Sequence, residues 1–225
     1  MTNLPENVSR ITPAKARSSA KKPPLVTLHE KFGPIANLVT RRNGERVLTA
    51  LREMVEIRGC SPEDRPRALL RLDRLPPLAE LDEQRHALRV AIYDPATEAE
   101  IRSVMGLMLE QIPAAATGAT PAYGDGLTFE LMHADDERDP DRVPRFRGFS
   151  AAVLFATSRR IVQTATFTPT TAEVLRTAQT VRSEYFAALG ATNRLIALVE
   201  NAQGVVEDTE PLETTEGQSG DEIPF

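Results

Sequence analysis

The sequence predicts an all-α fold: about seven helices in one compact helical body, between a disordered basic N-terminal arm and a disordered acidic C-terminal tail. Three observations predict it. Apolar residues recur at helical spacing through most of the chain between residues 25 and 203. No segment shows period-2 alternation over strand length, and no Asn-Gly or Asp-Gly pair joins two apolar runs. Capping and breaking residues stand where such helices would start and stop.

Residues 1–24 are polar, proline-punctuated and aperiodic, so they are expected to be disordered. A helix over Leu28–Thr40 is expected to start late or break at Gly33-Pro34, because proline removes a donor and crowds the preceding turn. The next helix uses Asn43 as cap, carries Val47, Leu51, Met54 and Val55, and stops at Gly59. Ser61-Pro62-Glu63-Asp64 opens a short helix with Leu69, Leu70 and Leu72. Pro76-Pro77 opens another with Leu78, Leu81, Leu88 and Ile92, closed by Asp94-Pro95. Thr97 and Glu100 form a capping box ahead of a wide stripe of Ile101, Val104, Met105 and Met108.

Residues 113–126 read as a loop, 127–134 as a helical turn or short strand, and the charged run 135–145 as a surface loop. A helix over 146–165 carries Phe149, Val153, Phe155 and Ile161. Thr170 and Glu173 make a second capping box, followed by Val174, Ala178, Val181, Tyr185 and Leu189. Gly190 is a candidate break before a last stretch through Leu195, Ile196 and Val199. This divides the chain into an arm (1–24), an N-terminal helical region (25–94), a second helical region (95–203) and an acidic tail (204–225).

Composition excludes several chemistries. A single Cys60 leaves no disulfide framework and no multi-cysteine zinc module. His29, His86 and His133 form no ligand-spaced pair, so no metal is expected. Gly124-Asp125-Gly126 is too short for a phosphate-binding loop and lacks its lysine, so no nucleotide cofactor is expected either. Cys60 has no identifiable base, and the run Asp135-Asp136-Glu137-Arg138-Asp139 reads as a solvated face. No catalytic constellation emerges, and a non-enzymatic role is expected. No span reaches the ~20 apolar residues a membrane helix needs, and the start has no apolar leader, so a cytoplasmic, non-membrane protein is expected.

Charge is divided unevenly. The arm carries +4, the tail −7 and the body between them −2. A near-neutral body does not suit nucleic acid over its whole surface. The places for weak phosphate contact are Lys15, Arg17, Lys21 and Lys22 in the arm, and Arg159-Arg160 in the body. Arg41-Arg42 with Arg46, and Arg145-Arg147 with Arg159-Arg160, each more often serve as a solvated helix face or an internal ion-pair partner, which leaves the basic arm the better candidate.

The tail ends Asp221-Glu222-Ile223-Pro224-Phe225. Apolar residues after an acidic stretch that serves no core suit docking: Pro224 stiffens the approach, Phe225 fills a pocket, and carboxylates meet a basic rim. This tip resembles that of bacterial single-stranded-DNA-binding proteins, which implies recruitment of host replication and repair proteins. Burying Phe225 contributes about 1.5–3 kcal/mol and each exposed ion pair about 0.2–1 kcal/mol. One tip therefore binds no tighter than micromolar, about −8 kcal/mol.

A second motif, Phe167-x-Pro169-Thr170-x-Ala172-Glu173-Val174, follows a helix bearing Ala156 and Arg159-Arg160. Over about residues 95–190 the chain resembles the phage replicative-helicase loader/inhibitor family. That resemblance implies a small helical DNA-replication protein that binds a ring helicase or its loading machinery, with Phe167, Pro169, Thr170 and Glu173 at the motif positions. The alternatives are a phage single-stranded-DNA-binding or recombination-mediator protein, and a helix-turn-helix regulator using 149–189. Homo-oligomerisation stays open. Few aromatics and no Trp speak against a base-stacking platform.

Overall fold

The computed structural model describes residues 25–39, 42–112, 119–134 and 148–208. The described residues form eight α-helices and no strand. They are α1 (Leu25–Leu38), α2 (Arg42–Arg58), α3 (Arg65–Leu72), α4 (Leu78–Tyr93), α5 (Glu98–Gln111), α6 (Pro121–His133), α7 (Ala151–Thr164) and α8 (Thr171–Asp208). One 3-10 turn, Pro62–Asp64, precedes α3.

The capping grammar places most of the starts. Thr97 accepts from the Glu100 N–H, and the Glu100 carboxylate accepts from the Thr97 N–H at 3.0 Å, opening α5 with a complete capping box. Thr120 caps α6 by accepting from the Tyr123 N–H at 3.2 Å. Ser150 caps α7 by accepting from Val153 at 3.2 Å, while its hydroxyl donates to the Ala91 carbonyl of α4.

Two apolar clusters hold the helices, and α8 belongs to both. The first gathers Leu28 and Phe32 of α1, Leu88 and Ile92 of α4, the buried faces of α5, α6 and α7, and Val174 to Leu189 of α8. The second gathers Ala50, Met54 and Ile57 of α2, Ala68 of α3, Leu81 of α4, and Leu195 to Val206 of α8. The core is thus divided along the length of α8, and each cluster draws residues from both sides of the boundary at 94/95. No helix among the described residues is long and apolar enough to cross a membrane.

Several local expectations change. The described residues hold eight helices, because α6 occupies 121–133 where a loop to 126 and then a turn or strand were expected; Thr120 and Pro121 supply its cap and first residue. Pro34 lies inside α1 without ending it; it is exposed, and so is Glu30, whose carbonyl loses a helical donor to the missing N–H. Gly190 does not interrupt α8, whose 38 residues run on to Asp208 with Val206 buried. The helix therefore takes in residues 204–208, the expected root of the acidic tail.

α2 begins at Arg42, so Asn43 is helical, and its side-chain amide donates to the Leu38 carbonyl. α2 also turns a different face inward. Ala50, Met54 and Ile57 are buried, whereas Leu51 and Val55 are exposed together with Leu48. In α3, Ala68 is buried while Leu69 and Leu70 are exposed. The arm 1–24 and residues 209–225 lie outside the described residues.

Candidate functional site

The motif residues 167–173 form the corner between α7 and α8. Helix α7 ends where the Ala165 N–H donates to the Ile161 carbonyl at 2.7 Å. Helix α8 begins with a complete box: the Thr170 N–H donates to Glu173 Oε2 at 2.7 Å, and the Glu173 N–H donates to Thr170 Oγ1 at 3.2 Å. That backbone hydrogen bond from Thr170 holds the Glu173 carboxyl below its ordinary value. Pro169 is buried, and its carbonyl accepts from the Tyr123 hydroxyl of α6 at 2.6 Å. Burial pushes the Tyr123 phenol up, and the Glu173 charge adds to the shift.

Between these braces stands Phe167, 76% exposed, the most open large apolar side chain among the described residues. An aromatic at a helix corner is ordinarily core; here the corner is closed by Pro169 and Tyr123 instead, and the phenyl ring faces water. α6 exposes a second ring, Phe129, stacked on His133 at 4.3 Å. His133 Nδ1 lies 2.8 Å from the Phe129 carbonyl, so this imidazole is engaged within its own helix.

The adjacent arginines differ. Arg160 is bound by both carboxylate oxygens of Glu184, at 3.0 and 2.7 Å, and that pairing raises its pKa. Arg159 is exposed and makes no hydrogen bond or ion pair among the described residues. It stands at a cavity of about 430 Å³ between α1, α5 and α7, with Phe155, Val162, His29 and Glu30 also in the lining. A second cavity of about 530 Å³ lies on the other side of Arg160, against Val181, Glu184 and Tyr185. The Tyr185 hydroxyl is buried without a hydrogen-bond partner among the described residues, and burial pushes its pKa up to about 12.

The corner brings together Phe167, Pro169, Thr170 and Glu173, with Arg159 and Arg160 on the helix that leads into it. Arg46 pairs with Glu80 at 3.4 Å. Arg41, Arg145 and Arg147, the arm residues Lys15, Arg17, Lys21 and Lys22, the run 135–139, and the tip Asp221, Glu222, Ile223, Pro224 and Phe225 lie outside the described residues. No group of three His, Cys, Asp or Glu among the described residues is placed to hold a metal ion. The Cys60 thiol donates to the Glu56 carbonyl at 3.3 Å. Gly124-Asp125-Gly126 is helical, with Asp125 paired to Arg102 at 2.7 Å.

Sequence reasoning missed the Tyr123 brace, the Phe129–His133 stack and the cavity at Arg159. The stack alone had a local signal, an aromatic and a histidine four residues apart on one helix face. No protein-family model, curated protein or solved structure matches the chain.

Proposed function

We propose that this protein is a non-enzymatic DNA-replication accessory of phage or prophage type, which binds a replicative helicase or its loading machinery. In this reading the α7–α8 corner makes the specific contact, and segment 221–225 docks on host replication and repair proteins. The observation that carries it is Phe167: a ring 76% exposed on a corner braced from both sides. An aromatic anchor carried on a braced backbone spares the loop-ordering cost when it enters a partner's pocket, and exposed aromatics of this kind are favoured as hot spots. The family resemblance at 167–174 supplies the class of partner.

The regulator alternative asks the first turn of α8 to approach DNA phosphates. That turn carries Glu173, an exposed acid kept ionised by its capping hydrogen bonds, which repels them. The single-strand-binding alternative needs a basic groove with stacking rings. Several of the body's basic side chains are spent on ion pairs, as in Arg71 with Glu53 and Glu56, and Arg160 with Glu184, and the exposed rings Phe129 and Phe167 line no basic groove among the cavities described.

The test is binding of the full chain to a purified replicative helicase of the host. Phe167→Ala is expected to weaken it by about 2 kcal/mol, roughly thirtyfold in Kd, without lowering Tm. Loss of Phe225 is expected to leave that contact intact and to remove host repair proteins from a lysate capture. Retention of neither helicase nor loader by the full chain, or wild-type binding by Phe167→Ala, overturns the proposal.

A further inference from the structure

The cavity between α1, α5 and α7 joins two features that rarely occur together without a ligand. Its walls are mostly apolar, with Phe155 and Val162 beside His29, Ser158 and Gln111. Its rim carries Arg159, a guanidinium without a partner among the described residues, one position from an arginine held by both oxygens of a carboxylate. About 430 Å³ falls within the ~300–1,000 Å³ of small ligand sites. Such a place takes a large apolar side chain that arrives together with a carboxylate.

Segment 221–225 of this chain has that chemistry: Asp221 and Glu222 followed by Ile223, Pro224 and Phe225. Residues 209–225 contain five acids and no Lys or Arg, so their charge complements Arg159. They also reach. Arg160, the chain neighbour of Arg159, is paired with Glu184, which sets that stretch of α7 beside Glu184 on α8. From Glu184 to Asp208 the helix runs about 36 Å at ~1.5 Å per residue. Residues 209–225 span up to about 56 Å at ~3.3 Å per residue. We infer that this cavity receives the Phe225 ring of the same chain, with an acid of the 221–222 pair on Arg159. Glu30 also lines the cavity, so fit rests on the ring and the guanidinium–carboxylate pair rather than on net charge.

The consequence is regulation of the tip. The inference rests on the tip reading of the proposed function and adds a competitor to it. A tethered segment meets its site at an effective concentration in the millimolar range or somewhat below. With an effective concentration of about 1 mM and a self-affinity of about 100 μM, the docked form lowers apparent affinity for an outside receptor by about tenfold. Partner proteins then capture the tip by displacing it from its own body.

The test is amide NMR of the full chain beside its Phe225→Ala and Arg159→Ala variants, at two protein concentrations tenfold apart. Both variants are expected to move the same resonances, those of Phe155, Arg159 and Val162. The Phe225 amide is expected to lose ordered-backbone heteronuclear NOE values in Arg159→Ala, while circular dichroism stays unchanged. Pocket resonances that ignore Phe225→Ala overturn the inference. Effects that grow with protein concentration assign the cavity to another copy's tip and overturn the same-chain assignment. No partner is present in this measurement, so its failure is separate from any failure of the tip to bind host proteins.

Discussion

The Tyr123 hydroxyl of α6 donates to the Pro169 carbonyl at 2.6 Å, a bond between residues 46 positions apart that holds the α7–α8 corner against α6. Tyr123→Phe keeps the ring and removes the donor, leaving the carbonyl of a buried proline without its partner. The expected cost is about 0.5–1.5 kcal/mol, read as a lower Tm. Faster hydrogen exchange should be confined to the corner. An unchanged Tm would show that water replaces the hydroxyl at no cost.

Tyr185 carries the opposite prediction. Its hydroxyl is buried without a partner among the described residues, a desolvation of about 1–3 kcal/mol that the ring's packing offsets. Tyr185→Phe deletes only that oxygen, so Tm should hold or rise. A clear fall in Tm would mean that the hydroxyl has a partner.

Arg182 and Gly148 form one unit where α8 passes the start of α7. The Arg182 guanidinium lies 4.0 Å from the centre of the Phe149 ring, and it donates to the Gly148 carbonyl. Gly148 has φ +76°, and a Cβ there would meet the Met132 carbonyl oxygen at 2.8 Å. Gly148→Ala is expected to cost about 1–3 kcal/mol from backbone strain alone, and Arg182→Met about 1–3 kcal/mol from the carbonyl left unpaired. Urea midpoints measure both, and a near-neutral Gly148→Ala would mean that the loop can shift freely.

The two capping boxes make stability depend on acid. Hydrogen bonds from the Thr97 and Thr170 backbones hold the Glu100 and Glu173 carboxyls below the ordinary 4.5. Because the folded value is the lower one, the stabilisation is complete above the unfolded value and is lost as pH falls through the folded one. Glu100→Gln and Glu173→Gln should therefore lower Tm at pH 7, and the gap should close well below pH 4.5. A gap that persists in acid would place the stabilisation in packing rather than charge.

What was legible in the sequence follows the range of the interactions. Thr97 with Glu100 and Thr170 with Glu173 are complete within four residues, so both boxes could be read directly. The wide stripe of α5 also points inward as its spacing requires. On α2, apolar residues lie on two sides, and the choice of Met54 and Ile57 over Leu51 and Val55 is made by packing against α8, far along the chain. Arg159 and Arg160 are indistinguishable as neighbours in a sequence. Glu184, 24 positions from Arg160, is what separates it from Arg159, which has no partner among the described residues.

Helix α8 has a further consequence. Its first residue follows the corner that presents Phe167, and its last precedes the acidic stretch that leads to Phe225. Thirty-eight helical residues set these points about 57 Å apart at ~1.5 Å each. A partner seated on Phe167 is therefore kept the full length of that rod from Asp208, the point where residues 209–225 begin.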